Sequence, residues 1–515
     1  RGLLLVRGGR HEEALADYDR ALAIDPGLAA VRFNRATALL ALGRPGEAHV
    51  EMRRVFTEHP GYPFAFDGLL DTSLRTCDFT QRAALEANLA AHVRAGRPLT
   101  PFHLLLVSDD PALQRLCAAG YTARAVGSGV AAMAPRRVGT GPRLKLAYLS
   151  HDFRAHTVAT SNAALLERHD RDRFELFAVS TGPDDASPMR ARLMRAFDHF
   201  HDVREQDDAA VAALLARQEI DILVDLGGHT IGARPGILAR RPAPIQVNYQ
   251  GWPGTTGSDF VDYMIADPSV APPGRDGDFA ERLVRLPRCY MPVDPGRDPF
   301  AATPTRAAAG LPEDAFVFCA FNGAWKIAPP MFRLWLELLC EVPNGILWLR
   351  HDNDPAADNL RREAAAQGVA PERLVFAGRA EDAEHIARHR LADLFLDTMP
   401  FAGHSTAIES LWAGLPLVTC TGNGFAARVS ASALAAVGMP ELAAASLADY
   451  KALALRLVQD RALLESYRDR LDKGRATFPL FDPADLCRAL EAAYEKMQAF
   501  KQNGEAPQSF AVSVS

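Results

Sequence analysis

The sequence predicts an α + α/β chain in which a helical repeat array is followed by two parallel-sheet lobes. Two observations support this prediction. A short motif recurs after 34 residues near the N-terminus, and from Arg143 onward short apolar runs alternate with helical stretches. Such alternation is typical of a parallel sheet with helices on both faces, and a Pro-rich stretch from Pro292 to Pro312 divides the runs into two series. We therefore expect two Rossmann-like halves after the repeats.

The N-terminal segment carries the repeat. Gly9-Arg10-x-x-Glu13-Ala14 recurs as Gly43-Arg44-x-x-Glu47-Ala48, with small and apolar residues at helical spacing between the two copies. A helix-turn-helix period of 34 residues with small residues at packing positions is the tetratricopeptide signature. Fewer than two full repeats are present, below the roughly three that usually fold alone, so we expect further repeats upstream of Arg1.

The later segments follow from changes in this pattern. Residues ~62–137 stay helical in pattern but lose the period, and the two series of apolar runs come after them. We predict tetratricopeptide repeats over 1–61, a helical linker over 62–140, a first lobe over 141–303, a second lobe over 304–501 and a disordered tail over 502–515. The predicted strands are Leu144–Leu149, Phe174–Val179, Ile220–Leu226, Ile245–Asn248 and Tyr263–Ala266, then Phe316–Phe321, Ile346–Leu349, Leu374–Phe376, Leu394–Leu396 and Leu417–Thr419.

The composition is that of an ordinary globular protein. Hydrophobic residues make up 48% and charged residues 23% of the chain, and the formal net charge is −6. These values exclude a long disordered chain and a collagen-like fibre. No stretch reaches the ~18 uninterrupted apolar residues of a membrane span. A mildly acidic chain without a basic block is a poor candidate for binding nucleic acid.

The seven cysteines are far apart and odd in number. None forms a C-x-x-C pair or stands with histidine at a zinc-ligand spacing. Most are flanked by apolar residues, as Cys319 and Cys420 are, so we expect buried thiols in a reducing compartment and predict a cytoplasmic location. The chain begins without Met, inside a repeat, so we also expect it to be a fragment.

Four segments at predicted strand ends carry candidate chemistry, because open parallel sheets bind ligands at the carboxyl ends of their strands. The first follows the strand Leu144–Leu149 and brings Asp152 and His156 to a cleft mouth; its alternative is an aspartate that caps a helix beside an incidental histidine. The second runs from Asp225 to Gly257, and its glycines would let backbone approach a ligand closely. Plain tight turns are the alternative there.

The third segment places Lys326 after the first strand of the second lobe. A lysine at the head of a helix is well placed to meet a phosphate, and the helix N-terminus adds partial positive charge. A solvated lysine is the alternative.

The fourth segment, Asp397–Pro416, is the richest. A helix is predicted to start near His404, where the hydroxyl and N–H groups of Ser405 and Thr406 would meet an anion. Glu409, one turn further, could accept hydrogen bonds from ribose hydroxyls. The segment matches neither G-x-x-x-x-G-K-[ST] nor G-x-G-x-x-G, which argues against an ATPase or a dehydrogenase. A merely well-capped helix is the alternative.

With these segments placed, the chain resembles the O-linked N-acetylglucosamine transferase / Spindly family, in a bacterial-type form. This family joins tetratricopeptide repeats to a glycosyltransferase of the GT-B type, which has two Rossmann-like domains. The resemblance covers essentially the whole chain. Its motifs here are Asp152-Phe-x-x-His156, Arg241-Pro-Ala-Pro-Ile-Gln246, Gly251-x-Pro-Gly-Thr255, Lys326, Glu384-His385-x-x-Arg388 and Gly403-His404-Ser405-Thr406 before Leu411-Trp412-Ala413-Gly414.

The resemblance implies roles for individual residues. On the acceptor side, His103, Asp152 and His156 match the groups proposed to handle the hydroxyl proton, so the helical linker would form part of the active site. On the donor side, the resemblance implies that Lys326 neutralises the leaving diphosphate, His404, Ser405 and Thr406 hold it, Glu409 contacts the ribose, His385 and Arg388 contact the uracil, the Ala380 backbone reads the base edge, and Gly251 and Pro253 form the floor under the sugar.

These roles suit an inverting transfer, in which an acceptor oxygen attacks the anomeric carbon opposite the departing nucleoside diphosphate. Charge builds on that diphosphate, so preorganised cationic groups would supply much of the catalysis. No cofactor and no obligatory metal are expected, because these groups can replace Mg²⁺ and the nucleotide sugar is a co-substrate. A neutral histidine could accept the hydroxyl proton, worth ~10²–10⁴ in rate, with Asp152 or a phosphate oxygen as rival bases.

Four positions depart from the family pattern. Gly323 replaces a glutamine near the diphosphate, and Asp382 replaces a lysine near the ribose. Thr157 replaces the proline that usually follows the histidine. Gln250 stands where the animal enzymes have an apolar residue beside the sugar pocket.

Three functions remain as hypotheses. The first is a protein O-GlcNAc transferase-like hexosyltransferase that moves N-acetylglucosamine from UDP-GlcNAc to Ser/Thr hydroxyls. The second is a glycosyltransferase of the same fold that uses GDP-fucose or UDP-glucose, or another acceptor. The third is a non-catalytic scaffold whose repeats bind partners. The expected partners are a nucleotide sugar and a protein or peptide acceptor, bound through the repeats and a cleft between the lobes.

Overall fold

The structure is a computed structural model that describes residues 1–139, 141–300 and 303–513, without the side chain of Arg7. Thr140, the predicted end of the helical linker, and the last two residues of the predicted tail lie outside the described residues. The chain divides into two compact units. The first unit comprises Arg1–Ser108, Pro304–Glu381 and Leu391–Phe401, and the second comprises Asp109–Thr303, Asp382–Arg390 and Ala402–Ser515.

Helices and strands alternate as predicted after an all-helical N-terminal part. The helices are α1 (Gly2–Arg7), α2 (His11–Ile24), α3 (Ala29–Ala41), α4 (Pro45–Glu58), α5 (Ala65–Thr76), α6 (Phe79–Arg94), α7 (Pro101–Leu105), α8 (Pro111–Val126), α9 (Thr157–Leu166), α10 (Pro188–Ala196), α11 (Asp208–Arg217), α12 (Pro235–Ala239), α13 (Pro329–Glu341), α14 (Asp354–Ala366), α15 (Asp382–Arg388), α16 (Ser405–Trp412), α17 (Val429–Ala436), α18 (Leu447–Gln459), α19 (Arg461–Gly474) and α20 (Pro483–Gln502). The strands are β1 (Leu144–Ser150), β2 (Phe174–Ser180), β3 (His199–Asp202), β4 (Ile222–Asp225), β5 (Ile245–Asn248), β6 (Tyr263–Ala266), β7 (Arg282–Arg285), β8 (Phe316–Ala320), β9 (Gly345–Arg350), β10 (Leu374–Ala377), β11 (Leu394–Leu396), β12 (Leu417–Cys420), β13 (Ala443–Ala444) and β14 (Phe510–Ala511).

The repeat helices of the first unit confirm the predicted period. Helix α2 begins at His11 and α4 at Pro45, which are 34 residues apart. Ala14, Ala36 and Ala48 are completely buried, as expected where small side chains let paired helices approach closely.

The first unit also contains a parallel sheet in the order β10-β9-β8-β11. The strand order reverses between β8 and β11, where successive crossovers leave in opposite directions. Loops that follow the carboxyl ends of these two strands therefore line the crevice in which open α/β sheets bind ligands. One of these loops carries Lys326, and the other begins at Asp397.

The second unit contains a parallel sheet in the order β14-β7-β6-β5-β4-β1-β2-β3. Its central strands β4, β5 and β6 are buried at every position, which explains why they read as continuous apolar runs. The order reverses between β1 and β4, so the loops that start at His151 and Leu226 share the ligand-binding edge. Strands β12 and β13 form a parallel pair in the same unit.

The predicted fold class is confirmed: tetratricopeptide helices are followed by two parallel-sheet lobes of Rossmann type. Strands β3, β7 and β13 were not predicted, because β3 reads His-Phe-His-Asp, β7 has arginine at both ends and β13 has two residues. Among the described residues, no helix combines the length and the apolar character that crossing a membrane would require.

The prediction of a disordered tail is wrong for the described residues of that segment. Strand β14 pairs with β7, and the Leu283 N–H donates to Ser509 Oγ at 3.0 Å. The ring of Phe510 contacts Tyr263 and Phe500, with centroids 6.2 and 5.6 Å apart. A polar tail can thus cover a sheet edge, because strand pairing uses backbone groups that every residue carries.

Truncation after Glu505 tests this edge strand. The backbone of β7 would lose its outer partner, so we expect amide hydrogen exchange over 282–285 to accelerate by about tenfold, since edge amides open locally. Exchange over β1 and β4 should stay unchanged and serves as the internal control. Equal exchange over 282–285 in both proteins would contradict the pairing.

Candidate active site

Lys326 of the first unit lies in a single 3-10 turn, Ala324–Lys326, rather than at the head of the helix that the sequence predicted. Its Nζ stands 4.4 Å from the ring centroid of Phe401 and 3.4 Å from Asn322 Oδ1. The Asn322 amide in turn donates to Asp397 Oδ1 at 3.0 Å. One hydrogen-bonded bridge therefore joins the loops after β8 and β11 beneath the ammonium group.

The surroundings of Lys326 disfavour its charge. Burial lowers the pKa of Lys326 to about 7, an effect that the carboxylate of Asp397 opposes and the guanidinium of Arg350 reinforces. An amine with this pKa is partly neutral near pH 7. A bound anion would restore the full positive charge, so this position suits an anionic ligand.

Helical residues fix the backbone on both sides of Lys326. The guanidinium of Arg82, 2% exposed, donates to the carbonyls of Ile327 and Leu106 at 3.0 Å each. The thiol of Cys77 donates to the Ala324 carbonyl at 3.5 Å. The helical segments before the lobes therefore set the position of the lysine loop.

His103 lies between two carboxylates of helix α5. Its Nδ1 is 2.8 Å from Asp67 Oδ1 and its Nε2 is 3.3 Å from Asp71 Oδ1. Although burial opposes protonation, these two charges raise the pKa of His103 to about 10. A histidine that is already protonated at neutral pH cannot accept a proton, so among the groups implied to handle the hydroxyl proton His103 is suited to be a fixed cation rather than a base.

Helix α7 also connects His103 with the lysine site. Phe102, the preceding residue, packs edge-to-face against Phe401 with centroids 5.6 Å apart. Phe401 is the ring that supports Lys326. The structure thus brings His103 and Lys326 to the same part of the first unit. Ala380, the implied contact of the base edge, belongs to this unit as well and lies in the irregular segment after β10.

Asp152 and His156 lie together in the second unit, directly after β1. The Nδ1 of His156 is 3.6 Å from Asp152 Oδ2. Burial lowers the pKa of His156, aided by Arg154 and His151 and opposed by Asp152, so the ring is neutral near pH 7.

His156 is the N-cap of helix α9. The alternative interpretation of this motif also included a helix cap, but it assigned the cap to the aspartate. Its Nδ1 accepts from the Val158 N–H at 3.3 Å, so the proton of the neutral ring is on Nε2. That cap bond is long, and His156 would give it up in order to accept a proton at Nδ1.

The loop after β5 contains the predicted floor residues Gly251 and Pro253. A Cβ on Gly251 would lie 1.7 Å from the Leu226 carbonyl oxygen, so only glycine fits against the end of β4. Gln250 has a φ of 63°, a strained value for a residue with a side chain. Its Oε1 accepts from the buried Asn162 amide at 2.9 Å, which fixes the orientation of the Gln250 amide.

Helix α16 begins at Ser405 with His404 as its N-cap, as predicted. The segment before it is anchored in the second unit, because Ser430 Oγ donates to the Gly403 carbonyl at 2.7 Å and His404 Nε2 lies 3.3 Å from the Ala426 carbonyl. The first-turn N–H groups of Ser405 and Thr406 point out of the helix end, where the helix dipole favours an anion.

Glu409, one turn along α16, belongs to a charged cluster that was only partly predicted. Its Oε2 is 3.6 Å from His385 Nε2, and its Oε1 accepts from Arg297 Nη1 at 2.8 Å. Against the effect of burial, His385 and Arg297 lower the pKa of Glu409 to about 2. Arg388 donates to His385 Nδ1 at 2.6 Å, which leaves the ring proton on Nε2, facing Glu409.

Several functional neighbours were missed by the sequence analysis. Asp67 and Asp71 stand four residues apart on one helix face, a signal that could have been noticed. Arg297 and Asn162 offered no signal, because their partners are remote in sequence.

Potential metal ligands are found elsewhere in the second unit. In the described part of the chain, the buried side chains of His169, Cys487 and Glu491 lie close enough together to bind an ion. They already satisfy one another, however: His169 Nδ1 is 3.0 Å from Glu491 Oε1, and the Cys487 thiol donates to the same oxygen at 3.5 Å. Burial raises the pKa of Cys487, which keeps the thiol protonated.

The chain matches known protein families and relatives. The model of glycosyl transferase family 41 matches residues 130–298 and 297–490, and a TPR repeat model matches residues 2–43. A probable UDP-N-acetylglucosamine–peptide N-acetylglucosaminyltransferase, SEC of Arabidopsis thaliana, is 34% identical over 467 residues, which cover 86% of this chain and 48% of that protein. The UDP-N-acetylglucosamine–peptide N-acetylglucosaminyltransferase of Caenorhabditis elegans is 28% identical over 71% of this chain and 42% of its own length.

Among solved structures, a mutant O-GlcNAc transferase from Thermobaculum terrenum is similar over nearly the whole chain. It is 28% identical, with a TM-score of 0.82, over 98% of this chain and 97% of that one. The chain spans about half the length of the curated relatives it matches, or less.

The charge state of His103 can be measured directly. Histidine-selective ¹³C labelling and an NMR pH titration should show no protonation step for His103 between pH 6 and 8.5, because its pKa is about 10. In Asp71→Asn one of the two stabilising charges is gone, so the midpoint should fall by at least about one unit. The exposed ring of His199, which pairs with Glu175, serves as the reference signal in both proteins. A wild-type midpoint near 6.5 would contradict the assignment.

Proposed function

Because the chain belongs to glycosyl transferase family 41, we propose that it is an inverting glycosyltransferase that moves N-acetylglucosamine from UDP-GlcNAc to serine or threonine hydroxyls of proteins. The observation that carries this proposal is the partly buried amine of Lys326 at the switch point of a parallel sheet. A nucleoside diphosphate is the anion that such an edge is suited to bind.

The proposed reaction is one displacement. The acceptor oxygen attacks the anomeric carbon, the bond from that carbon to the diphosphate oxygen breaks, and its electron pair leaves with UDP. Negative charge therefore grows on the diphosphate in the transition state, where the Lys326 ammonium and the α16 N-terminus with His404, Ser405 and Thr406 would stabilise it. Since Lys326 is only partly charged beforehand, its interaction strengthens as the charge develops.

The nucleoside is assigned to the residues that flank α16. Glu409, an ionised acceptor held in place by its partners, would receive hydrogen bonds from the ribose hydroxyls. His385 and Arg388 would contact the uracil, together with the backbone of Ala380. Gly251 and Pro253 would line the sugar, and the oriented amide of Gln250 beside them would contribute to the choice of sugar.

The hydroxyl proton is assigned to the pair Asp152 and His156. The neutral His156 and the adjacent carboxylate provide acceptors near pH 7, whereas His103 is held protonated. As a cation held between Asp67 and Asp71, His103 would instead fix helix α7 against helix α5 on the acceptor side.

The wider context is part of the same proposal. The tetratricopeptide helices would bind the acceptor protein, and the reaction would take place in the cytoplasm without an obligatory metal or cofactor. Free thiols at all seven cysteines, six of them buried, are consistent with a reducing compartment.

Replacing the lysine amine tests the proposal. In Lys326→Met, turnover of UDP-GlcNAc should fall by about 10²–10³-fold, the usual cost of losing one preorganised charge donor. The measurement is release of UDP together with mass spectrometry of acceptor peptides. The matched control is Lys473→Met, since Lys473 is 77% exposed and pairs only with Asp469 at 2.8 Å in the described structure. Unchanged turnover in Lys326→Met would refute the assignment.

Donor choice can be tested by thermal shift, and metal independence can be tested in the turnover assay. We expect the largest rise in melting temperature with UDP-GlcNAc, compared with UDP-glucose and GDP-fucose, because binding to the folded state stabilises it. Turnover should persist in excess EDTA. A larger shift with GDP-fucose would move the assignment to another donor, and loss of turnover in EDTA would refute metal independence.

A further inference from the structure

Arg297 lies in the irregular segment between β7 and β8, and of its contacts the proposed function uses only the one with Glu409. Its side chain is 18% exposed. The Nε donates to Asp382 Oδ2 at 2.8 Å, and Nη2 donates to the other oxygen of the same carboxylate. The Nη1 donates to Glu409 Oε1 at 2.8 Å. One guanidinium therefore joins α15 to α16.

The backbone of Arg297 is fixed as well. The indole Nε1–H of Trp412, at the end of α16, donates to the Arg297 carbonyl at 2.7 Å. Arg297 has little freedom to rotate, because its carbonyl is bonded to α16 and its guanidinium is bonded to both oxygens of Asp382. The direction of its third bond, to Glu409, is therefore set before any ligand arrives.

This bond makes the two oxygens of the Glu409 carboxylate different. Arg297 occupies Oε1, while Oε2 faces His385 Nε2 at 3.6 Å, beyond a normal hydrogen bond. Arg297 also helps to keep Glu409 ionised. The carboxylate is thus held as an oriented acceptor with one oxygen directed away from the guanidinium.

Charge gives a second reason for Arg297. Asp382 and Glu409 carry two negative charges, and Glu409 lies on the helix at whose start an anionic ligand is proposed to bind. Uncompensated, they would repel that ligand. Asp382 also stands where the resembling family has a lysine near the ribose. Arg297, from a different part of the chain, supplies a positive charge next to Asp382.

We propose that Arg297 is a positioning residue for the nucleotide: it orients Glu409 toward the ribose hydroxyls and offsets the charge of Asp382. This inference rests on the proposed function, because the ligand is the nucleoside diphosphate of the donor. Asp382 acts through Arg297 as its clamp. Arg297 itself belongs to the binding site through Glu409.

The test compares affinities for UDP, measured by titration calorimetry, and the KM and kcat for UDP-GlcNAc. Arg297→Ala should weaken UDP binding and raise KM by about tenfold or more, with a smaller change in kcat, since the ribose is remote from the bond that breaks. Asp382→Asn loosens the clamp on the arginine but also removes a negative charge, so UDP affinity should fall by less than in Arg297→Ala. The matched control is Arg470→Ala, because Arg470 forms an exposed pair with Glu441 at 2.9 Å and should leave all three values unchanged.

A rescue variant separates positioning from a merely structural ion pair. In the double variant Arg297→Ala with Asp382→Lys, a cation returns beside Glu409, and UDP affinity should recover to within about threefold of the wild type. A structural role predicts lower thermal stability in Arg297→Ala with unchanged affinity, and no recovery of affinity in the double variant; either result would overturn the inference. If Arg297→Ala fails to fold, the UDP affinities of Asp382→Asn and of the double variant decide between the positioning role and the structural role.

The outcomes also distinguish this inference from the function on which it rests. A wild-type protein that binds neither UDP nor UDP-GlcNAc would remove the proposed function and the inference together. A wild-type protein that binds UDP while Arg297→Ala binds it equally well would remove the inference alone.

Discussion

The proposed site depends on one constraint, the partial removal of a lysine ammonium from water at the edge of a parallel sheet. Lys326 receives a ring face from Phe401 and an amide oxygen from Asn322, and these contacts compensate only part of the lost hydration. Asn322, Asp397 and Arg82 hold the loop in this arrangement. Such a site is suited to an anion, and under the proposed function it would be preorganised for the leaving diphosphate.

The histidines show how the surroundings of a side chain set its pKa, so that residues of one type can have different roles. His103 stands between two aspartates and remains charged, whereas His156 is desolvated beside a single carboxylate and is neutral. His385 is oriented by the guanidinium of Arg388, and His229 is buried against Trp252 with its pKa lowered to about 4. Groups whose pKa values are pushed apart can hold distinct functions in one protein, and the proposed division between a fixed cation and a proton acceptor follows that rule.

Much of the fold could be predicted from the sequence, because its central strands are buried on both faces and its repeats have a fixed period. The segments at the ends of β1, β5 and β8 were located for the same reason, because a strand that can be recognised in the sequence also shows where it ends. What could not be predicted depends on distant pairing: the edge strand β14 uses backbone groups, and Arg297 meets Asp382 and Glu409 across 85 and 112 positions of sequence. The charge of His103 could not be predicted either, because the two aspartates that decide it precede His103 by a whole helix.

The most direct measurement is the pKa of Lys326 itself. The chain contains six lysines, so ¹³C-labelled lysine and a Lys326→Met spectrum would assign its ε-methylene signal. We expect a titration midpoint of about 7 without ligand, and a midpoint raised by at least about two units when UDP-GlcNAc is bound, because the diphosphate favours the charged amine. A midpoint near the ordinary ~10.4 that does not respond to the nucleotide would contradict this expectation.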